Sequence, residues 1–565
     1  MSSITAEFEG KSVQLAAGAR LTELTGRMTH PLGMPIGALV NRRLVGLDSE
    51  VPDRSRITVV TKHDPDGANI FRRSACLALY EGFRHAAPQV RVVSGQSIGD
   101  WHYFDVDGHD GPLGPLLERV RSEMCGIVER DERFEVFRMG SDAAIDLFER
   151  EGRGDRVALL RTWWHESLRM VRLGGCVDIL YGPVVPSAGY LDGLGSRGAT
   201  APPGFAMHAY AHGFVLGFAV MGRTAADLAT PPPFMPGLYG IFQETKAWNR
   251  VIGVSNVGEL NRACITSEHK EVVRVAEGFH EKKIAAVADA VAARRDRTRL
   301  VLVAGPSASG KTTFTKRLGV QFRVAGLHPV ALSVDDYYID RERTPVGEDG
   351  GPDFEALETV DLDLFNDHLR RLLAGEEVAT PKYDFVAGRR AAPQRWNRLR
   401  LEPGDVLIVE GIHGLNDRLS AAIPPDAKYR IYVSALTQLS IDAQNRISTA
   451  DARLLRRIVR DRLYRGHSAA ATITAWPSVR AGERKHIFPF QESADATVNT
   501  ALPYEIAVLK VFAHRFLLEV PTDHAAFVEA YRLLKFLELF VPIFPDNVPQ
   551  NSILREFIGG SSFRY

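Results

Sequence analysis

The sequence predicts a multidomain protein of mixed α/β and α+β class that ends in a doubly wound parallel sheet. Its 565 residues are enough for about three or four domains. The apolar run Leu300–Ala304 leads directly into a glycine-rich loop, as buried parallel strands do. After this loop, strand-like and helix-like segments alternate, which is typical of a doubly wound sheet.

Three domains are expected in order along the chain. Residues 1–62 form a small β-rich module, with strands near 12–16 and 57–60 and a hairpin turn at Asn41 and Arg42. A turn cluster at 63–67 marks the first boundary. Residues 66–270 mix strands and helices in an α+β domain, with a helix over 69–87. A helix over 267–297 leads into the third domain, residues 285–565.

Composition sets limits on partners and compartment. Lys+Arg and Asp+Glu are each 69, so the formal net charge is zero and gives no argument for nucleic acid or a membrane surface. The four cysteines are scattered without C-x-x-C spacing, which argues against a disulfide framework or zinc ribbon and fits a reducing compartment. The first residues lack the apolar core of a signal peptide, and no apolar run reaches about 20 residues. We expect a cytoplasmic protein.

The glycine-rich loop matches the phosphate-binding motif G-x-x-x-x-G-K-[ST] at residues 305–313, between a predicted strand and a helix-forming stretch. Glycines let backbone N–H groups turn inward around phosphate, and the helix adds its positive N-terminal dipole. Lys311 would neutralise the β- and γ-phosphates of ATP, and Thr312 would ligate Mg²⁺. The expected ATP-binding residues are Gly305, Ser307, Ala308, Ser309, Gly310, Lys311, Thr312 and Thr313.

Two further predicted strands end in acidic residues. Residues 330–334 precede Asp335 and Asp336, and residues 406–409 precede Glu410. Ligands of open α/β sheets sit at the carboxyl ends of strands, where a carboxylate can accept a proton or hold a metal ion. The alternative for each acid is a helix cap or a solvated turn.

A basic run follows later in the chain. A solvated helix face is the usual explanation, but arginines beside a phosphate loop can also clamp a transferring phosphoryl group, and we favour the clamp. The run consists of Arg453, Arg456, Arg457, Arg460, Arg462 and Arg465.

Together these segments resemble the uridine kinase and phosphoribulokinase family of P-loop kinases over about residues 300–499. The pieces occur in family order as GPSASGKTT, SVDDYY, PDFEALETVD, PKYDF, VLIVEGIHGLN and RLLRRIVRDRLYRG. The resemblance implies ATP and Mg²⁺ as cofactors. It also implies that Asp335 is the catalytic base for a nucleoside 5′-hydroxyl, that Tyr338 and Tyr383 line the nucleoside pocket, and that Glu355 replaces an aspartate that holds ribose hydroxyls.

The same resemblance makes Arg460 and Arg465 lid arginines that contact phosphate, and Glu410 the metal-side acid. Two positions depart from the family. Gly388 stands where uridine kinases carry a base-reading histidine, and His467 replaces a second lid arginine. These departures affect the choice of base rather than the phosphate chemistry.

The front half resembles parts of threonyl-tRNA synthetase. Residues 1–62 are similar to a TGS domain, a small β-grasp module, and residues 66–270 are similar to the editing-associated domain. Arg73, Leu77, Leu180 and Val184 stand where that domain has its H-x-x-x-H, cysteine and histidine. Leucine and valine neither ligate metal nor move protons, so we expect no deacylase activity and a binding, docking or regulatory role.

His208 and His212 have the i,i+4 spacing of a zinc site on a helix. Residues 204–220 are rich in glycine, aromatic and β-branched residues, however, which favours a strand. No acid or cysteine is close enough in sequence to serve as a third ligand. We therefore expect ordinary, partly buried histidines.

The sequence thus predicts an ATP-dependent kinase that phosphorylates the 5′-hydroxyl of uridine or a related nucleoside. One alternative is a nucleotide-switched regulatory protein that uses the synthetase-like half to bind RNA, although zero net charge gives no support for RNA. Another is a kinase of a sugar or sugar phosphate. The amphipathic stretch 527–540 is expected to form core or a subunit interface, which leaves a homo-oligomer open; no membrane partner is expected.

Overall fold

The computed structural model describes residues 3–25, 33–192, 203–347, 350–384 and 387–564. Phe385, in the quoted segment PKYDF, lies outside these ranges. The chain divides into two compact units. Unit 1 comprises Met1–Phe234, Ser440–Arg446 and Pro521–Arg532, and unit 2 comprises Met235–Leu439, Ile447–Val520 and Leu533–Tyr565. Helices and sheets occur together in the chain, so the mixed α/β multidomain class is confirmed.

Unit 1 begins with strands and continues as alternating strands and helices. Its strands are β1 (Ser3–Phe8), β2 (Lys11–Ala16), β3 (Pro35–Val40), β4 (Arg43–Val45), β5 (Ser55–Thr61), β6 (Arg91–Ile98), β7 (Trp101–Asp107), β8 (Glu135–Gly140), β9 (Ser167–Leu173), β10 (Cys176–Ile179), β11 (Phe205–Tyr210) and β12 (Gly213–Phe218). Its helices are α1 (Leu21–Thr25), α2 (Pro65–Ala86), α3 (Leu113–Glu129), α4 (Ser141–Arg150) and α5 (Gly154–Leu160).

The first five strands form one sheet in the order β2-β1-β5-β3-β4. β1 and β5 run parallel, and each also pairs with an antiparallel neighbour. The predicted hairpin turn joins β3 to β4, where Asn41 and Arg42 have φ values of 48° and 61°. Positive φ at both central residues matches the twist of a two-residue hairpin. The predicted strands at 12–16 and 57–60 lie within β2 and β5.

The rest of unit 1 packs around α2, which confirms the predicted helix over 69–87. Ile70, Phe71 and Leu79 of α2 are completely buried, and α2 lies against α3. The other two sheets of the unit have the orders β11-β12-β7-β6 and β10-β9-β8, and their strand pairs are antiparallel.

Segment Ser440–Arg446 belongs to unit 1 and is fixed there by buried charges, which we call the Arg156 network. Arg156 donates to both carboxylate oxygens of Asp178 at 2.8 Å, and its Nη2 lies 3.2 Å from Oδ1 of Asp442. The Tyr181 hydroxyl donates to Oδ2 of Asp442 at 2.9 Å. The side chains of Arg156 and Asp442 are 1% and 0% exposed. Burial of such charges is tolerated only when they are paired and hydrogen-bonded.

Unit 2 contains a five-stranded parallel sheet and two small two-stranded sheets, β15-β18 and β16-β17. The strands of the unit are β13 (Leu300–Ala304), β14 (His328–Ser333), β15 (Val378–Thr380), β16 (Tyr383–Asp384), β17 (Arg389–Arg390), β18 (Asn397–Leu399), β19 (Asp405–Glu410), β20 (Lys428–Ser434) and β21 (Ala496–Asn499). Its helices are α6 (Pro236–Ile252), α7 (Val257–Ile265), α8 (His269–Ala292), α9 (Lys311–Val324), α10 (Leu362–Leu373), α11 (Thr449–Tyr464), α12 (Ala469–His486), α13 (Glu505–Leu518) and α15 (Arg555–Ile558). Helix α14 (Phe527–Leu537) contains residues of both units.

The order of the large sheet is β14-β19-β13-β20-β21. Every neighbouring pair in it is parallel, as the sequence predicts. Strand β13 is central, and all five of its residues are completely buried, which explains its uninterrupted apolar sequence. The loop that follows β13 therefore starts from a rigid position.

The division between the units falls after Phe234, whereas the sequence extends the front domain to residue 270. Helices α6 and α7 therefore belong to unit 2. Within that unit, Asn499 of β21 donates to the Thr245 hydroxyl of α6 at 3.2 Å, and both side chains are buried. Among the described residues, no helix combines the length and the apolar character needed to cross a bilayer.

Candidate active site

The phosphate loop is shaped by two glycines that no other residue could replace without a shift. A Cβ on Gly305 would lie 1.9 Å from the Val433 carbonyl oxygen of β20. Gly310 has a φ of 83° and is the N-cap of α9, a conformation that favours glycine. The loop thus passes close to the neighbouring strand and then turns sharply into α9, whose first N–H groups have no partner within the helix.

Lys311, the first residue of α9, lies among carboxylates. Its ammonium donates to the Pro306 carbonyl at 3.2 Å. Burial lowers the pKa of Lys311, while the charges of Glu410 and Asp335 oppose that shift. Glu556 and Glu355 also interact with this ammonium electrostatically. The Lys311 ammonium thus faces several acids at the start of the helix.

Thr312 and Glu410 meet at the carboxyl edge of the sheet. Glu410 is the last residue of β19 and is in register with Val303 of β13 and Ser333 of β14. The Thr312 hydroxyl donates to the carboxylate at 3.1 Å from Oε1 and 3.3 Å from Oε2. Burial raises the pKa of Glu410 to about 7, although the charge of Lys311 opposes the rise. The positive charge of Lys311 therefore does not fully offset the cost of burying the ionised Glu410 carboxylate.

The donor set of this pair fits Mg²⁺. Hydroxyl and carboxylate oxygens are the ligands that the ion prefers, and it usually takes one or two carboxylates plus phosphate oxygens rather than a full protein cage. In the described part of the chain, no group of three or more His, Cys, Asp or Glu side chains could hold a metal ion.

Asp335 and Asp336 follow β14 in a short 3₁₀ turn, and their carboxylates have different hydrogen-bond partners. The Asp335 backbone N–H donates to the Ser333 hydroxyl at 3.3 Å, and its carboxylate accepts a hydrogen bond from the Tyr338 hydroxyl. Asp336 instead accepts the backbone N–H of Tyr383 at 3.1 Å. Asp335 therefore acts on side chains of the site, whereas Asp336 holds the β16 backbone in place.

The predicted acceptor residues come together beside Asp335. The rings of Tyr338 and Tyr383 meet edge to face at 5.8 Å. Glu355 is half-buried, and its Oε2 is buried without a hydrogen-bond partner among the described residues. Burial and the nearby charge of Glu483 raise the pKa of Glu355 to about 7. A buried carboxylate oxygen without a partner is costly, and a ligand hydroxyl would satisfy it.

Sequence reasoning missed a group of side chains next to this pocket. His413, three positions after Glu410, is 1% exposed. Burial and the charge of His486 lower its pKa to about 4, and the two imidazole centroids are 6.4 Å apart. His486 Nε2 lies 3.0 Å from Oδ2 of Asp353. The histidine in the segment VLIVEGIHGLN was a possible signal for His413; nothing in the sequence marks His486.

Two arginines of the basic run support the phosphate loop. Arg453 donates to the Ser307 carbonyl through Nε at 2.9 Å and Nη2 at 2.7 Å, and it forms a buried ion pair with Glu483. Glu483 in turn accepts the Ser307 backbone N–H at 3.0 Å. Arg456 is completely buried and pairs with Glu505. Arg453 and Arg456 therefore support the loop and are not a mobile clamp.

Three other arginines of the run gather around one acid, Asp461, whereas Arg462 pairs with Glu519. Arg460 donates to Oδ1 of Asp461 through Nε and Nη2 at 3.0 and 2.9 Å. Arg465 lies 3.9 Å from the same oxygen and keeps 52% of its side chain exposed. Arg457 donates to the Ser307 hydroxyl at 2.9 Å. Arg457 thus contacts the phosphate loop, and Arg465 is within electrostatic reach of Asp335.

In unit 1, the four side chains that the sequence places at the editing positions make structural contacts. Arg73 donates to the Pro183 carbonyl at 2.6 Å. Leu77 and Val184 are buried in the core of the unit, and Leu180 packs against it. His208 lies on β11 as expected and makes a 2.8 Å contact with the Leu228 carbonyl.

Comparison with known proteins identifies the family of unit 2. Residues 300–506 match the Phosphoribulokinase / Uridine kinase family. Over 205 residues the chain is 30% identical to a uridine kinase of Bacillus pumilus, which covers 36% of this chain and 87% of that protein. The chain belongs to the phosphoribulokinase/uridine kinase family. The match begins with β13 and includes the phosphate loop, Asp335, Glu410 and the arginines of α11.

A solved structure described as a putative fructose transport system kinase, from a Silicibacter species, is 24% identical to this family member. It aligns with 38% of this chain and 98% of its own, with a TM-score of 0.28. The N-terminal part is similar to threonine–tRNA ligases: the Clostridium kluyveri protein is 25% identical over 182 residues, 32% of this chain. The alignment spans only 29% of that ligase's length.

Proposed function

We propose that the protein is an ATP-dependent kinase that transfers the γ-phosphate to a hydroxyl of a small molecule, with the 5′-hydroxyl of uridine or a related nucleoside as first candidate. The Thr312–Glu410 contact beside Lys311 carries this proposal. It combines a metal-ligand pair and a cation at the start of α9, which is the arrangement that nucleotide phosphates require. Family membership supports it.

The chain's residues suggest the following steps. Backbone N–H groups of the loop and Lys311 receive the β- and γ-phosphates, and Thr312 and Glu410 would hold Mg²⁺, which neutralises phosphate charge when bound. Asp335 accepts the proton of the acceptor hydroxyl. That oxygen bonds to the γ-phosphorus while the bond to the bridging β–γ oxygen breaks, so ADP leaves. Arg460 and Arg465 stabilise the charge on the transferring group.

The acceptor would lie against Tyr338 and Tyr383, with a hydroxyl on Glu355. Because the pKa of Glu355 is raised to about 7, this side chain can either donate or accept a hydrogen bond to a sugar hydroxyl near neutral pH. A ribose with two adjacent hydroxyls offers both partners. This supports a sugar-bearing acceptor without selecting its base.

One observation favours a sugar or sugar phosphate as a second candidate acceptor. Gly388 has a φ of 68°, and a Cβ there would lie 2.9 Å from Nε of Arg341. The Arg341 backbone N–H also donates to the Gly388 carbonyl at 2.8 Å. Where uridine kinases place a histidine that helps to read the pyrimidine, this chain has a glycine in a backbone conformation that side chains rarely adopt.

A phosphoryl-acceptor screen of the full chain with ATP and Mg²⁺ tests the proposal. Uridine, cytidine, purine nucleosides, free sugars and sugar phosphates are offered in parallel, and ADP formation is measured against a control without acceptor. Stimulation by uridine or cytidine supports the nucleoside proposal. Stimulation by sugars alone supports the second candidate. ADP formation that no acceptor increases contradicts both.

Asp335→Asn should abolish transfer and leave ATP affinity nearly unchanged, because the amide keeps the shape but cannot accept the proton. The adjacent Asp336→Asn is the matched control. It should mainly raise the acceptor KM, because Asp336 positions the Tyr383 backbone. Steady-state kinetics and ATP titration measure both. Wild-type turnover by Asp335→Asn would overturn the base assignment.

A further inference from the structure

A side chain from the end of the protein contacts the start of α9. The family match ends at residue 506, and α15 lies beyond it within unit 2. The Glu556 carboxylate of α15 accepts two hydrogen bonds through Oε2 from Thr313, one from its backbone N–H at 3.1 Å and one from its hydroxyl at 2.8 Å. Thr313 is the third residue of α9.

These two donors are ones that a phosphate would use. The first N–H groups of a helix have no intrahelical acceptor. In a phosphate loop they point at the α- and β-phosphates, together with the hydroxyls of the first turn. Thr312 donates to Glu410, whereas both donors of Thr313 face a different anion. In this structure that anion is the Glu556 carboxylate.

Glu556 is held in place by a packed segment. Ile553, Leu554 and Phe557 are almost completely buried. The Arg456 guanidinium, which supports the phosphate loop, stands 5.2 Å from the Phe557 ring centroid. A Cβ on Gly310 would lie 2.5 Å from Cγ2 of Ile553, so the segment also touches the loop itself.

The charge of Glu556 acts on the same groups as a nucleotide would. It stabilises the Lys311 ammonium and disfavours the ionised form of Glu410. A nucleotide phosphate would therefore meet the negative charge of Glu556 as well as its occupied hydrogen bonds. Both effects oppose phosphate binding.

We propose that the C-terminal segment is autoinhibitory: the Glu556 carboxylate occupies the phosphate donors of Thr313 and must leave them before a nucleotide binds. This inference rests on the proposed function, because it takes residues 305–313 as the ATP site. Nucleotide binding and the Glu556 contact are then mutually exclusive. ATP concentration sets the fraction of protein in which α15 is displaced from α9.

Glu556→Gln and Glu556→Ala in the full chain test the inference. Removing an anion that competes at a helix N-terminus should tighten ATP binding by about three- to tenfold, measured by isothermal titration with a non-hydrolysable ATP analogue. The matched control is Glu538→Gln, which removes the same charge from a surface pair with Lys535 and should leave the dissociation constant unchanged. Unchanged or weaker binding by both Glu556 variants overturns the inference.

Hydrogen exchange of the unmodified protein provides a measurement that needs no variant. The ATP analogue should slow exchange at residues 305–313 and accelerate it at residues 553–558. Slower exchange at 553–558 overturns the inference, because Glu556 would then support the bound state. If neither the wild type nor the variants bind the analogue, the proposed function fails, and the inference fails with it; binding that ignores position 556 contradicts the inference alone.

Discussion

The Arg156 network of unit 1 and the phosphate-loop site of unit 2 both bury charged side chains, but they differ in how many of these groups have partners within the protein. In the Arg156 network of unit 1, one guanidinium binds Asp178 through two hydrogen bonds and also faces Asp442. Although burial opposes it, the charge of Arg156 keeps the pKa of Asp178 below its usual value. Burial raises the pKa of Asp442, whose carboxylate accepts a hydrogen bond from Tyr181. At the phosphate loop of unit 2, burial raises the pKa of Glu410 to about 7.

The difference shows how a binding site can be told from a structural cluster. The Arg156 network is satisfied within the protein, so it has no chemical need of a ligand. The phosphate-loop site holds several acids around Lys311, and Glu355 Oε2 has no partner among the described residues. Polar groups are left in such a state where a ligand or metal completes them.

The largest effect is expected when the Arg156 network is disrupted. Arg156→Met leaves Asp442 buried without its ion pair and leaves Asp178 with only Arg153, at 3.4 Å. This should cost about 3–5 kcal/mol of stability. Urea unfolding followed by circular dichroism measures it. Arg161→Met is the control; it removes an exposed pair with Glu149 and should cost about 0–1 kcal/mol. Equal losses in the two variants would show that the Arg156 network is no more structural than a surface pair.

A smaller effect is expected when the Glu410 charge is removed from the phosphate-loop site. Glu410→Gln should lower kcat about a hundredfold or more, because the amide is a poor partner for Mg²⁺. Its urea midpoint should stay the same or rise, since the change removes a carboxylate that burial disfavours. Glu402→Gln, at an exposed position before β19, is the control. A large loss of stability in Glu410→Gln would contradict the comparison.

Per pH unit and per group, the smallest effect is a pH dependence of stability. Burial raises the pKa of Glu410 and Glu355 from 4.5 to about 7, so between these values the folded protein binds more protons than the unfolded chain. Stability should therefore fall as pH rises through this window. Each group contributes at most about 1.4 kcal/mol per pH unit, less where solvent screens it.

Urea midpoints across the same pH range check this, with the double variant Glu355→Gln/Glu410→Gln as reference. The wild-type midpoint should fall more steeply between pH values of about 5 and 7 than that of the double variant. Parallel curves for the two proteins would show that these two acids are ionised and compensated in the folded state.

Local features of the site were predictable, and distant ones were not. Gly305, Gly310 and Lys311 are recognisable because the loop's conformation and charge are specified by adjacent residues. The buried position of Arg453 depends on Glu483, which is 30 residues away, so the basic run alone did not distinguish loop support from a clamp. Glu556 is 243 residues from Thr313, and nothing near it in the sequence indicates that contact.

In the fold, too, local features were predictable from the sequence and long-range packing was not. Uninterrupted apolar residues identified β13, and the alternation after it predicted the parallel sheet. The assignment of α6 to unit 2 depends on packing against β21, which lies far along the chain. Sequence periodicity predicts a helix but not which core it joins.

The route of the chain through unit 1 has a consequence for its synthesis. Unit 1 takes its residues from three stretches, of which the last ends at Arg532. A ribosome that adds about 5–20 residues per second delivers Asp442 to Arg156 only some tens of seconds after the first stretch has emerged. During that interval Arg156 lacks its partner Asp442. The Arg156 network can therefore be completed only after residue 442 has been synthesised.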